Sequence, residues 1–352
     1  MKKSVLVIAC FVFAGVVSIL SCRKSKTEKS AFDKVYERVN DPQNHYFWEQ
    51  FHNGNIENVK TVISKLEQQY QEDSSNLVAT AHLGFARFWL LSEGLRGGIA
   101  PEEIPGHVAD ARKYFAKAYQ MNPNDKRLLG FWADAEMAQA GMTQSQELLQ
   151  QGYARGLEAI SAWPEFNKFT IGISFAGAPV QVPFFQQALE WQWTTLEDCY
   201  TASVDRSNPA IQEFISKDLS GHNLGRKRAC YNSWIAPHNI EGYFLNMGDM
   251  IVRTGDAATA KKIYALAKAS PNYDSWAFRE VLEKRIRNAE RNITVFLDNA
   301  QQGIDNVIIA SSGYNCSSCH KMSTADQDRF KNYDWVGYFK TRDIYSVSGL
   351  KP

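Results

Sequence analysis

The sequence predicts an all-α protein of stacked helical hairpins, ended by a short C-terminal tail of different character. Three observations carry that expectation. Apolar residues recur at helical spacing along most of the 352 residues, and few segments alternate with period two. Small residues (Gly84, Ala111, Gly248, Ala260) stand where packed helices need a close approach, and Phe115 and Tyr264 follow Ala111 and Ala260 by one helical turn. Turn signals such as Gly255-Asp256 separate segments of helix length.

The N-terminus is expected to stand outside that fold. Lys2 and Lys3 precede an apolar run, Val5 to Leu20, which stops at Ser21-Cys22. This is a bacterial signal peptide over 1–21, and the small residue before Cys22 resembles the lipobox of bacterial lipoproteins, which implies lipidation of Cys22. The alternative, a single membrane span, is disfavoured by a run short for a roughly 30 Å hydrocarbon core. Residues 22–40 begin polar and basic and are expected to form a tether. Without the acidic run that often follows the lipidated cysteine in surface-displayed lipoproteins, the outer membrane's periplasmic side is the expected location. Loss of 1–21 removes two lysines, leaving 331 residues with 37 basic against 38 acidic side chains. That balance gives no basic surplus for nucleic acid.

Residues 41–303 are expected to form the helical body. A helix over about Ile56 to Tyr70 comes first. Leu83-Gly84 then pairs with Ala111, Phe115, Ala118 and Pro123 across an insertion, Ser92 to Gly106, whose glycines and prolines predict a loop. A further pair spans about Leu128 to Ala159, with its turn at Gly141. The segment Trp163 to Trp193, interrupted by Gly172, Gly177, Pro179 and Pro183, is expected to be a buried connector, with an apolar wall for a ligand as the alternative. The strongest unit is Glu241 to Pro271: Phe244, Met247, Gly248 and Ile251 in one helix, Ala260, Tyr264, Ala267 and Pro271 in and after the next. This unit resembles the tetratricopeptide repeat, whose pattern is an aromatic, Leu-Gly, an aromatic, then Ala-x3-Phe-x2-Ala and proline. The proline stands one place early. The resemblance covers about half of the mature chain and implies an α-solenoid with a face for a protein partner. A long helix over Ser275 to Gly303 closes the body.

Residues 304–352 carry the chemistry. Cys316-Ser317-Ser318-Cys319-His320 has the spacing that attaches a c-type haem: two thiols for the porphyrin vinyl groups and an imidazole for the iron. Haem c is therefore the expected cofactor, bound by Cys316 and Cys319, with His320 on the iron. A local disulfide between the two cysteines and a zinc site are the alternatives; zinc needs further ligands from elsewhere. The string lies too near the C-terminus for the common small cytochrome c fold, since no methionine follows Met322, which is too close to His320 to reach the ring's other face. Its position is similar to that in c-prime cytochromes, although the upstream repeats are not. The sixth ligand stays open among His45, His52, His82, His107, His222, His238, Met247 and Met250. In the stretch Arg226 to Asn239, the bases Arg226-Lys227-Arg228 read as a solvated face or as partners for haem propionates, and His238, just before the strongest unit, reads as a cap or surface residue or as a distal haem ligand. Cys199 and Cys230 remain; in an oxidising compartment they form a disulfide by default, with two buried thiols as the alternative.

No nucleophile elbow, P-loop, HExxH or dinucleotide glycine motif is present. The expected function is electron transfer or redox sensing with a protein partner. A haem-free scaffold lipoprotein is the alternative, and a haem peroxidase is the enzymatic one.

Overall fold

The computed structural model describes residues 42–211, 230, 240–298 and 301–323, all within one compact unit, Val35–Pro352. The signal and tether assignments, Cys22, His222, His238 and the Arg226–Arg228 stretch lie outside the described residues. Every regular element among the described residues is helical, and successive helices pack as hairpins.

The order is α1 (Pro42–Asn53), α2 (Val59–Glu72), α3 (Leu77–Ser92), a single turn α4 (Gly94–Gly97), α5 (Ile104–Met121), α6 (Lys126–Thr143), α7 (Gln146–Ala162), α8 (Pro164–Ser174), α9 (Pro183–Tyr200), α10 (Ile240–Arg253), α11 (Ala257–Leu266), α12 (Arg279–Arg287), α13 (Ala289–Val295) and α14 (Asn315–His320). Short polar side chains start several of them by accepting an orphan backbone N–H. Asn76 accepts from Ala79 at 3.1 Å, Ser145 from Leu148 at 3.2 Å and Asp256 from Thr259 at 2.9 Å.

Two hairpins place a glycine under an aromatic ring. A Cβ on Gly84 of α3 would come within 2.6 Å of Phe115 of α5, and one on Gly248 of α10 within 2.2 Å of Tyr264 of α11. Both rings are fully buried, so each glycine sets how closely its two helices approach.

Four expectations are corrected. The Ser92–Gly106 insertion is largely helical: α4, a 3-10 turn at Pro101–Glu103 and the start of α5 fill it. The turn expected at Gly141 falls at Gln144, whose backbone is left-handed (φ 53°), while Gly141 lies inside α6. The Trp163–Trp193 segment is not a connector but most of a hairpin, because Pro164 and Pro183 occupy first-turn positions, where a missing N–H costs nothing. The long helix expected over Ser275–Gly303 is broken into a 3-10 turn, α12 and α13, with Asn288 between the last two.

The core divides into neighbouring clusters. The N-terminal one gathers Phe47, Phe51, Val62, Leu66, Trp89 and Leu90. The C-terminal one gathers Phe185, Phe244, Met250, Tyr264, Trp276 and Leu282. Cys199, at the end of α9, is bonded to Cys230, with Cα atoms 5.4 Å apart.

Candidate functional site

The string Cys316–His320 lies entirely within α14. One helical turn separates Cys316 from Cys319, which puts both thiols on one side of the helix, with His320 four residues after Cys316. The helix is not an exposed appendage. It packs against α1 and α3 of the N-terminal part and against α10 of the last hairpin.

Three elements hold it. Glu93, just after α3 and fully buried, accepts from the backbone N–H of Ser317 at 2.6 Å and from its hydroxyl at 3.1 Å. This carboxylate thus caps the first turn of α14 from 224 residues away. Arg96 joins Glu93 at 2.8 Å, donates to the Gly313 carbonyl at 3.3 Å, and lies over the Tyr314 ring at 4.0 Å. On the other side, Trp276 donates its indole N–H to the Ser318 carbonyl at 3.0 Å, and Asn246 approaches the Cys319 sulfur at 3.6 Å. Gly242 completes this wall: a Cβ there would lie 2.6 Å from both the Cys319 sulfur and the Ser318 carbonyl oxygen. Upstream, the Ile309 N–H donates to Asp249 at 2.7 Å, and Arg285 donates to the carbonyls of Ile304 and Val307, both at 2.6 Å.

The exit from α14 is fixed on α1. The Met322 N–H donates to the His52 carbonyl at 2.9 Å, and the His320 ring lies 4.7 Å from that of Phe51. Around Phe51 is an aromatic cluster that includes two imidazoles. His52 stacks on Trp48 at 5.2 Å; His82 stacks on Phe47 at 4.6 Å and meets Trp48 edge-on at 5.3 Å. Both histidines are buried.

Burial dominates the electrostatics. It pushes both thiols up, Cys319 to about 12, and the neighbouring Glu93 charge adds to the effect at Cys316. Neither is poised as a thiolate in the folded chain. Burial also raises Glu93 above the usual carboxylate range, against the opposing pull of Ser317 and Arg96, and lowers His52 to about 3. Cys316 and Cys319 are both free thiols, so the disulfide weighed between them is not formed in this structure. Among the described residues no group of three or more His, Cys, Asp or Glu side chains is arranged to hold a metal ion.

Of the residues singled out from sequence, Cys316, Cys319, His320, His52 and His82 come together. Met247 and Met250 are buried in the C-terminal core, and His107 lies 2.5 Å from Arg87. The side chains of His45, His222 and His238 lie outside the described ones. Sequence reasoning missed Glu93, Gly242, Asn246 and Trp276; no motif marks them, because each acts on a segment far along the chain. No family model, curated protein or solved structure matches this chain.

The donor chemistry is that expected for haem c, while Ser317, Ser318 and Cys319 themselves are packed against Glu93, Trp276 and Gly242. The two thiols are free, one turn apart, and followed at once by an imidazole, while Phe47, Phe51, Trp48 and Trp89 offer an apolar wall on the α1 and α3 side. Gly242 and Asn246 close the α10 side of Cys319.

Proposed function

We propose that this chain is a lipid-anchored helical-repeat protein of tetratricopeptide type, held on the periplasmic side by Cys22, that carries one haem c on Cys316 and Cys319. His320 is the protein's ligand to the iron. The haem supplies a one-electron couple, and the protein uses it for electron transfer or redox sensing with a protein partner met through its helical surface. The single observation that carries this reading is the Cys316–His320 donor set on one helical turn, its imidazole set against Phe51 and the aromatic cluster of α1. Glu93, Trp276 and Asn246 hold Ser317, Ser318 and Cys319 of that turn, which supports a preformed placement of the two thiols.

The test is a pyridine haemochrome spectrum on full-length protein made in a host with the haem c maturation system. The expected result is a c-type α-band that survives acid–acetone extraction and is lost in a Cys316→Ala, Cys319→Ala double variant. Absence of the band from the wild-type chain overturns the reading.

A haem-free scaffold lipoprotein is the second reading. It is favoured by how completely the chain already packs the string: Ser317 and Ser318 are buried and hydrogen-bonded to Glu93 and Trp276.

A further inference from the structure

We propose that Arg253 holds a small carboxylate ligand at the C-terminal end of α10. Three arginines are buried among the described residues: Arg87, Arg253 and Arg285. Arg87 faces Glu67 and Asp110, and Arg285 faces Asp249. Arg253 is 5 % exposed and has no carboxylate partner among the described residues. Its Nη1 donates to the Ala176 carbonyl, and its guanidinium lies over the Phe185 ring at 5.1 Å. Its place in the last turn of α10 offsets part of the charge through the helix dipole. These contacts leave one edge of the group unused. Nε is enclosed and has no acceptor, and Nη2, which is not enclosed, makes no hydrogen bond to a described group. Burial lowers the guanidinium below its ordinary range, and no opposing charge among the described residues acts on it.

The unused edge fits a carboxylate. Nε–H and one N–H of Nη2 lie parallel in the guanidinium plane, and this pair matches the two oxygens of a carboxylate. A buried charge without a partner is strongly destabilising, and one negative charge relieves it. A monoanion balances the single guanidinium, whereas a phosphate dianion would bring a second charge against the buried Phe185 and Ala176. So little of Arg253 is exposed that only a small ligand reaches Nη2. The rim beside it is open and polar. Gly177, the residue after Ala176, is exposed, and a Cβ there would lie 3.4 Å from the Ser311 hydroxyl. Ser311 is exposed as well and offers a second donor beside the same stretch. Neither thiol nor His320 takes part, so the site stands whether or not the chain carries haem.

The test titrates the full chain with sodium acetate, against sodium chloride at equal ionic strength and neutral pH. Two readouts are followed, the thermal unfolding midpoint and the nuclear magnetic resonance signal of the Arg253 Nε–H. The wild-type midpoint is expected to rise saturably with acetate and not with chloride, and the Nε–H signal to move along the same curve. Arg253→Met removes the fork at similar length and is expected to lose the midpoint response. Arg253→Lys keeps the charge without the fork and is expected to weaken it. The Nε–H signal is read on the wild-type chain, so it decides the matter even where Arg253→Met does not fold. A signal that acetate leaves in place, an equal midpoint response in Arg253→Met, or an equal response of the wild type to chloride or phosphate would each overturn the assignment.

Discussion

In the α3/α5 hairpin Gly84 lies under Phe115, and the residue after the glycine is Phe85. In the α10/α11 hairpin Gly248 lies under Tyr264, and the residue after the glycine is Asp249. Phe85 joins an all-aromatic layer, edge-on to Phe115 at 5.2 Å and to Phe131 at 4.9 Å. Asp249 is 1 % exposed and accepts from the Tyr264 hydroxyl at 2.6 Å and from the Ile309 N–H at 2.7 Å, with the Arg285 Nε at 3.1 Å. One packing device therefore serves two purposes. The first hairpin uses it only to build core. The second adds a hydroxyl and a carboxylate, and these polar groups anchor the segment that leads into α14. A helical hairpin can thus be specialised at two positions without changing how its helices meet.

The largest break in that comparison is expected at the carboxylate. Asp249→Ala leaves the Arg285 guanidinium buried without its charge partner, a loss of about 3–5 kcal/mol. A fall in the urea midpoint, with faster amide exchange at Ile309, would be the readout; a midpoint within experimental error of wild type would show that Asp249 is not part of the anchor.

Next come the glycines. Gly84→Ala and Gly248→Ala each force a methyl group against a buried ring and are expected to cost about 1–3 kcal/mol. Only Gly248→Ala should also expose residues 304–320 to protease, because only Tyr264 is tied to Asp249 and through it to Ile309. Equal protection of the tail in both variants would erase the distinction between the hairpins.

A pH experiment sharpens the contrast between buried acids. Asp134 on α6 is buried, and burial raises it well above the usual range against the pull of the Ser174 hydroxyl. Between its ordinary value and that raised one, the folded chain binds the extra proton. Stability is therefore present at low pH and falls as pH rises, by at most about 1.4 kcal/mol per pH unit. Asp134→Asn should flatten that fall and raise the unfolding midpoint at neutral pH. An unchanged pH profile would show that Asp134 does not hold its proton in the fold.

The smallest effect is expected at the hydroxyl. Tyr264→Phe turns the second hairpin's ring into that of the first and removes one hydrogen bond, a cost of about 1 kcal/mol, while the contacts of Asp249 with Arg285 and Ile309 remain. A loss as large as that from Asp249→Ala would mean that the hydroxyl, not the ion pair, carries the anchor.

Much of this architecture was legible because its signals are local. Helical periodicity located most helices, and Gly248 stands at a close helix approach as its size implies, but Tyr264, expected to fill the gap to the next helix pair, lies against Gly248 of its own hairpin. The segments that depart from the expectation are those where proline and glycine read as breakers in the sequence. Pro164 and Pro183 begin helices instead, and Gly172 lies inside α8 at a close approach to α9, where a Cβ would meet the Gln192 side chain at 2.3 Å. The break at Asn288 carried no such signal.

By itself the sequence determined the helical class and the cysteine–cysteine–histidine string, because helix periodicity and thiol spacing are properties of neighbours along the chain. Only the tertiary structure decided where that string sits and what surrounds it. Glu93 reaches Ser317 across 224 residues, Gly242 leaves room for Cys319, and His52 shares α1 with the ring that meets His320. Such contacts follow from how whole helices pack, and a cap or a missing Cβ leaves no periodic trace in the residues that provide it.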